Sequence, residues 1–327
     1  MLKRVGTLHS SAVISRHPAN PVLTAHEVPY AAALVFNPGV TKYEGRYVMV
    51  FRNDYGSVDE QRLEGTNLGL AYSEDGVRWQ VEPRPCFELA DDEIVRAYDP
   101  RLIVLEGRCY MCFAVDTRHG VRAGIAVTED FYHYEVLSMS VPDNRNAVLF
   151  SERIGGQYVR LERPFPVYSR GGVERFDIWL SDSPDLAYWG GSELLLAVEQ
   201  VPFANTKLGP AAPPIKTPQG WLTTFHAVDT DPERGKNGWE ASWKKRYTAG
   251  LMLLDLEDPR KVLGLYRDPL IAPEASYEVA GGFRNNTVFP CGMILEESGE
   301  VKIYYGAADT SICIATCSFD QLMEEAF

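Results

Sequence analysis

An all-β, five-bladed propeller is the fold class this sequence predicts, on three observations. A turn-forming glycine beside an aromatic or apolar strand recurs along the chain, a second motif follows it at constant internal spacing, and helical periodicity is nearly absent. The hairpin signal reads Glu44-Gly45-Arg46-Tyr47, Glu106-Gly107-Arg108-Cys109-Tyr110, Gly155-Gly156-Gln157-Tyr158, Gln219-Gly220-Trp221 and Ser298-Gly299-Glu300-Val301-Lys302. A third strand then ends in a small polar residue and an acid, with an aromatic four positions on: Ser73/Asp75/Trp79, Thr128/Asp130/Tyr134 and Ser183/Asp185/Trp189.

The fourth copy degrades to Leu253-Leu254-Asp255 with Pro259, and the fifth to the run from Ile312 to Asp320. The pattern therefore predicts about five units of roughly four short strands, the size of propeller blades. Only Asp320 to Glu325 reads as helix. A pair of β-sandwiches would need a linker, and the chain has no Ser/Gly-rich or charge-run boundary, so one domain over residues 1–327 is expected.

Composition narrows the function. The chain has 327 residues, 45% of them hydrophobic, enough to bury a full core. Its net charge of -13 argues against nucleic acid as a partner, because a phosphate backbone needs a basic face. Any anion bound must be small and met by a local cluster of cations. No segment is long and apolar enough to span a bilayer and Met1 to Val13 lacks a signal peptide's apolar run, so no membrane association and a cytoplasmic location are expected. The six cysteines lie mainly in strand-like runs and read as reduced and buried. Cys109 and Cys112 have the spacing of half a zinc site, but strand positions three apart face opposite ways and no second pair follows, so no metal is expected.

In a propeller the innermost strands surround the axis, and their first residues meet in one funnel. Upstream of each hairpin glycine the chain has Phe36-Asn37-Pro38, Tyr98-Asp99-Pro100-Arg101, Asn144-Arg145-Asn146, Lys207-Leu208-Gly209-Pro210 and Arg284-Asn285-Asn286. The strands that return to the same face end on Arg52-Asn53-Asp54, Asp116, Arg163, His226, and Tyr305 with Asp309. Taken singly, each residue has an ordinary use: Asn and Asp before Pro form turns, and Arg101 can pair with a nearby carboxylate. As a set, an acid with Arg145, Lys207 and His226 around it reads as a small-anion site. Phe36, Tyr98 and Tyr305 beside polar groups suit a sugar, with its apolar faces and hydroxyl edges.

At these residues the chain resembles glycoside hydrolase family 130, the β-mannoside phosphorylases and related mannosidases. The resemblance runs from about Asn37 to Phe319 through Asp99-Pro100-Arg101, Asn144 to Phe150, Arg163-Pro164, Lys207 to Pro210, Gly220-Trp221-Leu222 with His226, Leu254-Asp255-Leu256, and Tyr304 to Thr310. It implies a five-bladed propeller and an enzyme that transfers a mannosyl unit to inorganic phosphate, a glycosyltransferase-type reaction releasing α-mannose 1-phosphate. Asp99 would be the proton donor, acting through the 3-hydroxyl of the mannosyl unit. Arg145, Asn146, Lys207 and His226 would bind phosphate, with Tyr305 assisting, while Asn37, Arg52 and Asp309 would hold the mannosyl ring. Inorganic phosphate is the co-substrate, no cofactor is implied, and homo-oligomerisation is an expectation from the family.

The inventory suits the chemistry, since an inverting hydrolase needs a second carboxylate to activate water, whereas phosphate is already an anionic nucleophile. Glu278 is read as structural rather than catalytic. Tyr98 stands where many relatives acting on β-1,2-mannosides have Glu, which points to a 1,4-linked substrate. Phe165-Pro166-Val167-Tyr168 points the other way, leaving the linkage open, and the Lys236 to Tyr247 loop is expected to shape the leaving-group subsite. The alternatives are a phosphate-independent β-mannosidase on the same fold and a noncatalytic carbohydrate-binding propeller.

Overall fold

A computed structural model describes residues 2–327. Its strands form five antiparallel sheets. The strand β1 (Ser15–Arg16) precedes the first complete blade, which comprises β2 (Leu34–Tyr43), β3 (Arg46–Ser57), β4 (Arg62–Ser73) and β5 (Gln80–Val81). Blade 2 follows as β6 (Ile94–Leu105), β7 (Arg108–Thr117), β8 (Gly120–Thr128) and β9 (Tyr134–Met139). Blade 3 is β10 (Asn144–Leu149), β11 (Tyr158–Pro164), β12 (Ile178–Ser183) and β13 (Gly190–Leu196). In blade 4 the inner strand is split into β14 (Lys207–Pro210) and β15 (Ile215–Thr217), both paired with β16 (Gly220–Thr230), which is followed by β17 (Lys245–Leu254) and β18 (Val262–Leu265). A single-turn helix α1 (Ser276–Val279) leads to β19 (Val288–Leu295), β20 (Glu300–Ala307) and β21 (Ser311–Ser318), and α2 (Phe319–Ala326) ends the chain.

Blade 5 lacks an outer strand of its own. β1 supplies it, pairing Ser15 with Thr316 and Arg16 with Ala315. This explains why the fifth sequence repeat decays: after β21 the chain turns into α2, whose Leu322 is buried between blades 4 and 5.

The pleat closes the ring. Successive strand residues face opposite sides of a sheet, so Cys109, Met111, Phe113 and Val115 pack against blade 1, while Tyr110 and Cys112 pack against blade 3. The same alternation fills the interfaces between blades 3 and 4, 4 and 5, and 5 and 1. Five apolar interfaces thus join five sheets in a circle, and all six cysteines are free and buried within it.

The repeated acid has a local role. Asp75 Oδ1 accepts from the backbone N–H of Val77 and Arg78, each at 2.8 Å, and Asp130 and Asp185 make the same turn. Asp255 keeps that turn in the degraded fourth copy. These side chains cap the bend into the outer strand. Among the described residues, no helix is long and apolar enough to cross a membrane.

Candidate active site

The inner strands do more than surround the axis. In blades 1, 2 and 3 the register between first and second strand slips, at Phe36/Gly39, Tyr98/Arg101 and Arg145/Val148. At each slip one residue adopts a left-handed backbone: Asn37 at φ 50°, Asp99 at 56° and Asn146 at 60°. Asn and Asp tolerate this conformation better than other side chains with a Cβ. A bulge of this kind re-aims a side chain that the regular pleat would send into the blade interface. Blade 4 uses Gly209 instead, where a Cβ would lie 2.2 Å from the His226 ring. The glycine is the space in which that imidazole sits.

The re-aimed groups line one cavity of about 390 Å³, within the range of small-molecule sites. Asp99 is one of them. Asn37 Nδ2 donates to Asp99 Oδ1 at 2.8 Å, and Arg52 Nη1 stands 3.4 Å from the same oxygen. Arg52 is held from behind by Asp54 through two bonds of 2.9 and 2.7 Å, and its guanidinium lies between the rings of Phe36 and Tyr98. Among the described residues Arg101 pairs with no carboxylate: it donates to the carbonyls of Asp99 and Ala211, bracing blade 2 against blade 4. Burial acts to raise the Asp99 carboxyl, but Arg52, Arg101 and the Asn37 amide outweigh it, holding the group below the ordinary aspartate value.

Asp309 behaves oppositely. Burial dominates there and raises its carboxyl, despite Arg284 at 3.4 Å and the field of Arg52. Arg284 is shared, since its other arm donates to Glu240 at 2.7 Å.

A cationic wall faces Asp99. The cavity is lined by seven Arg or Lys residues against four carboxylates, in a chain whose net charge is -13. Arg52, Arg96 and Arg284 are matched by Asp54, Asp116 and Glu240. Arg145, Arg163, Lys207 and Lys245 have no carboxylate within 4.0 Å among the described residues. Arg145 Nη1 is 3.3 Å from the Tyr98 hydroxyl, which itself donates to Asp116 at 2.6 Å. Burial and Arg145 push Arg163 down to about 9. Burial, Arg163, Lys245 and Arg145 push the Lys207 amine down to about 6. Cations gathered in this way suit a small anion.

His226 enters this wall as a neutral ring. Arg163 can only donate, so the 3.1 Å contact from Nη1 makes His226 Nε2 an acceptor. Burial and Arg163 accordingly hold the imidazole well below its usual value. Asn146 Nδ2 lies 3.4 Å from the same nitrogen.

Of the residues singled out in the sequence, Asn37, Arg52, Asp99, Arg145, Asn146, Lys207, His226 and Asp309 share the cavity. Tyr305 does not. It is fully buried, and its hydroxyl donates to Glu278 Oε1 at 2.8 Å. Glu278 is itself held by Arg16 at 2.8 and 2.9 Å and by the backbone N–H groups of Glu274 and Ala275. Both residues belong to the joint that fastens the N-terminal segment to blade 5, so the phosphate-assisting role read for Tyr305 has no geometric basis. Arg163, which the sequence placed in the funnel without a ligand role, and Arg96, which it did not single out, both line the cavity. Arg96 could have been found from its position two residues before Tyr98, on the same strand face.

The family model described as beta-1,4-mannooligosaccharide phosphorylase, Glyco_hydro_130, matches residues 8–326. The chain belongs to glycoside hydrolase family 130. This family 130 chain is 31% identical to the beta-1,4-mannooligosaccharide phosphorylase of Ruminococcus albus, over 95% of its own length and 90% of that protein. It is 29% identical to a 1,2-beta-oligomannan phosphorylase from Thermoanaerobacter sp., covering 92% and 96%. In three dimensions it is similar to the beta-1,2-mannobiose phosphorylase of Listeria innocua in complex with beta-1,2-mannobiose, with a TM-score of 0.80 at 25% identity, over 96% of this chain and 99% of that one. The five-bladed architecture expected from the repeats is therefore that of the family.

Proposed function

We propose that this chain is an inverting β-mannoside phosphorylase acting on a β-1,4-linked mannoside with inorganic phosphate, and releasing α-mannose 1-phosphate. The observation that carries the reading is the set of partnerless cations opposite Asp99. Arg145 and Arg163 stand together without a carboxylate partner among the described residues, and a tetrahedral dianion bearing several acceptor oxygens suits them and favours the charged form of the Lys207 amine, which burial and its cationic neighbours push down to about 6. The 1,4 linkage is supported by Tyr98 beside the acid and by the description of the matching family model.

In this mechanism Asn37, Arg52 and Asp309 hold the mannosyl ring over Asp99. Arg52, Arg101 and the Asn37 amide hold Asp99 as carboxylate against its burial, and a phosphate dianion on the cationic wall offsets part of that field. Asp99 then takes a proton from solvent as the ternary complex assembles, and the proton still carried by the attacking phosphate returns to solvent from the product ester. It passes that proton to the sugar 3-hydroxyl, whose own proton moves to the glycosidic oxygen. The C1–O bond breaks with its electron pair leaving on the departing sugar, while a phosphate oxygen bonds to C1 from the opposite face. Asp99 is left as carboxylate, no second carboxylate is required, and no cofactor takes part. A cytoplasmic location, where phosphate is abundant, suits such a reaction.

The test is product analysis after incubating the protein with 1,4- and 1,2-linked mannobiose and 4-O-β-mannosyl-glucose, with and without phosphate. Mannose 1-phosphate formed from a 1,4-linked substrate only when phosphate is present is the expected result. Free mannose at the same rate with or without phosphate contradicts it and marks a hydrolase.

A further inference from the structure

Lys245 is the partnerless cation that no role above absorbs. It opens β17 opposite Thr230 and lines the cavity two residues before Tyr247, whose ring packs on His226. Positions two apart on a strand share a face. Lys245 therefore stands one pleat step outward of the ring that abuts His226. It is half-buried, whereas Arg163 is 1% exposed, so the cations run from the cavity mouth inward.

Its presentation is fixed. Asn237 Nδ2 donates to the Lys245 carbonyl at 3.0 Å and to the Asn285 carbonyl at 2.9 Å, tying the start of β17 to blade 5. Trp243 stacks on Tyr247 with an interplanar angle of 7°, and the ammonium stands 5.0 Å from the Trp243 ring centre. Lys42, Lys216, Lys261 and Lys302 each pair with a carboxylate, whereas Lys245, like Lys207 deeper in the cavity, has none within 4.0 Å among the described residues. The carboxylate on the Lys245 loop, Glu240, is committed to Arg284 at 2.7 Å.

We infer that Lys245 is the capture residue for the anionic co-substrate, receiving phosphate at the mouth and handing it inward to Lys207, Arg145 and Arg163. The inference rests on the phosphorylase reading. A chain of net charge -13 repels free phosphate over most of its surface, and a cationic lip at a concave site reverses that field locally and raises the capture rate. Burial first, then Arg284 and Arg145, lower the Lys245 amine below its ordinary value, in line with a cation placed among cations.

The experiment uses the full chain, with initial rates measured across phosphate concentrations at saturating mannoside for wild type, Lys245→Met and Lys245→Arg. Lys245→Met is expected to raise KM for phosphate roughly tenfold, with KM for the mannoside moving less than about twofold. Its kcat/KM for phosphate is also expected to lose much of its dependence on ionic strength. Lys245→Arg restores both. The rise in melting temperature that phosphate gives wild type is smaller in Lys245→Met, which reads binding without turnover. A phosphate-dependent wild type with unmoved phosphate KM in Lys245→Met overturns this inference alone, as does a shift confined to the mannoside KM. Wild-type turnover indifferent to phosphate overturns the phosphorylase reading as well.

Discussion

Replacing Lys207 by Met separates what the cationic wall costs the fold from what it gives the reaction. The amine lies 4.2 Å from the Phe176 ring centre with no carboxylate partner, and burial, Arg163, Lys245 and Arg145 push it from 10.5 down to about 6. The folded protein therefore binds fewer protons than the unfolded chain between about pH 6 and 10.5. Stability rises with pH across that window, and the penalty is largest below it. An unpaired buried polar group costs about 1–3 kcal/mol, so Lys207→Met, of similar volume and no charge, is expected to raise the melting temperature by about 2–4 °C near neutral pH. That gain shrinks as pH rises toward 10. Loss of one charge-assisted contact to the reacting phosphate costs about 3–4 kcal/mol, so kcat/KM for phosphate falls by about two to three orders of magnitude. Thermal unfolding between pH 6 and 10, with and without phosphate, and rates at varied phosphate read the two effects. A Lys207→Met protein that melts lower than wild type yet keeps its kcat/KM for phosphate refutes the reasoning.

Other residues separate more simply. Asp99→Asn preserves shape and leaves Arg52 its bonds to Asp54, so the protein should fold and bind mannoside while kcat falls by about 10²–10⁴; unchanged turnover removes Asp99 from the mechanism. Tyr305→Phe loses a buried bond to Glu278 and should lower stability by about 1 kcal/mol without moving KM for phosphate, and a large rise in that KM would return the residue to the site. Gly209→Ala drives a Cβ into the His226 ring and should weaken phosphate binding, seen as a higher phosphate KM; wild-type kinetics would show that the ring yields freely. Full activity is expected to survive a strong chelator, because Arg and Lys suffice to hold phosphate. Activity lost to the chelator and restored by a divalent metal contradicts this.

Much of the fold was legible because the repeat has a local cause. Asp75, Asp130 and Asp185 each cap the same bend, so the blade period survives in side chains that the turn itself requires. The closing strand was not legible. Ser15–Arg16 is two residues long, carries no alternation and becomes a strand only through its partners on β21. The same distinction governs the site. Funnel positions could be read from blade order, but the left-handed bulges that turn Asn37, Asp99 and Asn146 into the cavity depend on register across two strands. Tyr305 was misjudged because Glu278 and Arg16, from distant segments, claim its hydroxyl. His226 was grouped with Arg145 and Lys207 as a small-anion site, yet burial and Arg163 beside it hold it neutral, a consequence of packing that no spacing in the sequence encodes.

The central claim is that phosphate, not water, attacks the anomeric carbon. Its most direct test is to follow a 1,4-linked mannobiose by phosphorus and proton magnetic resonance in phosphate-buffered solution. The account predicts α-mannose 1-phosphate rising in step with the released sugar and no signal change when phosphate is omitted; free mannose at equal rates in both solutions would contradict it.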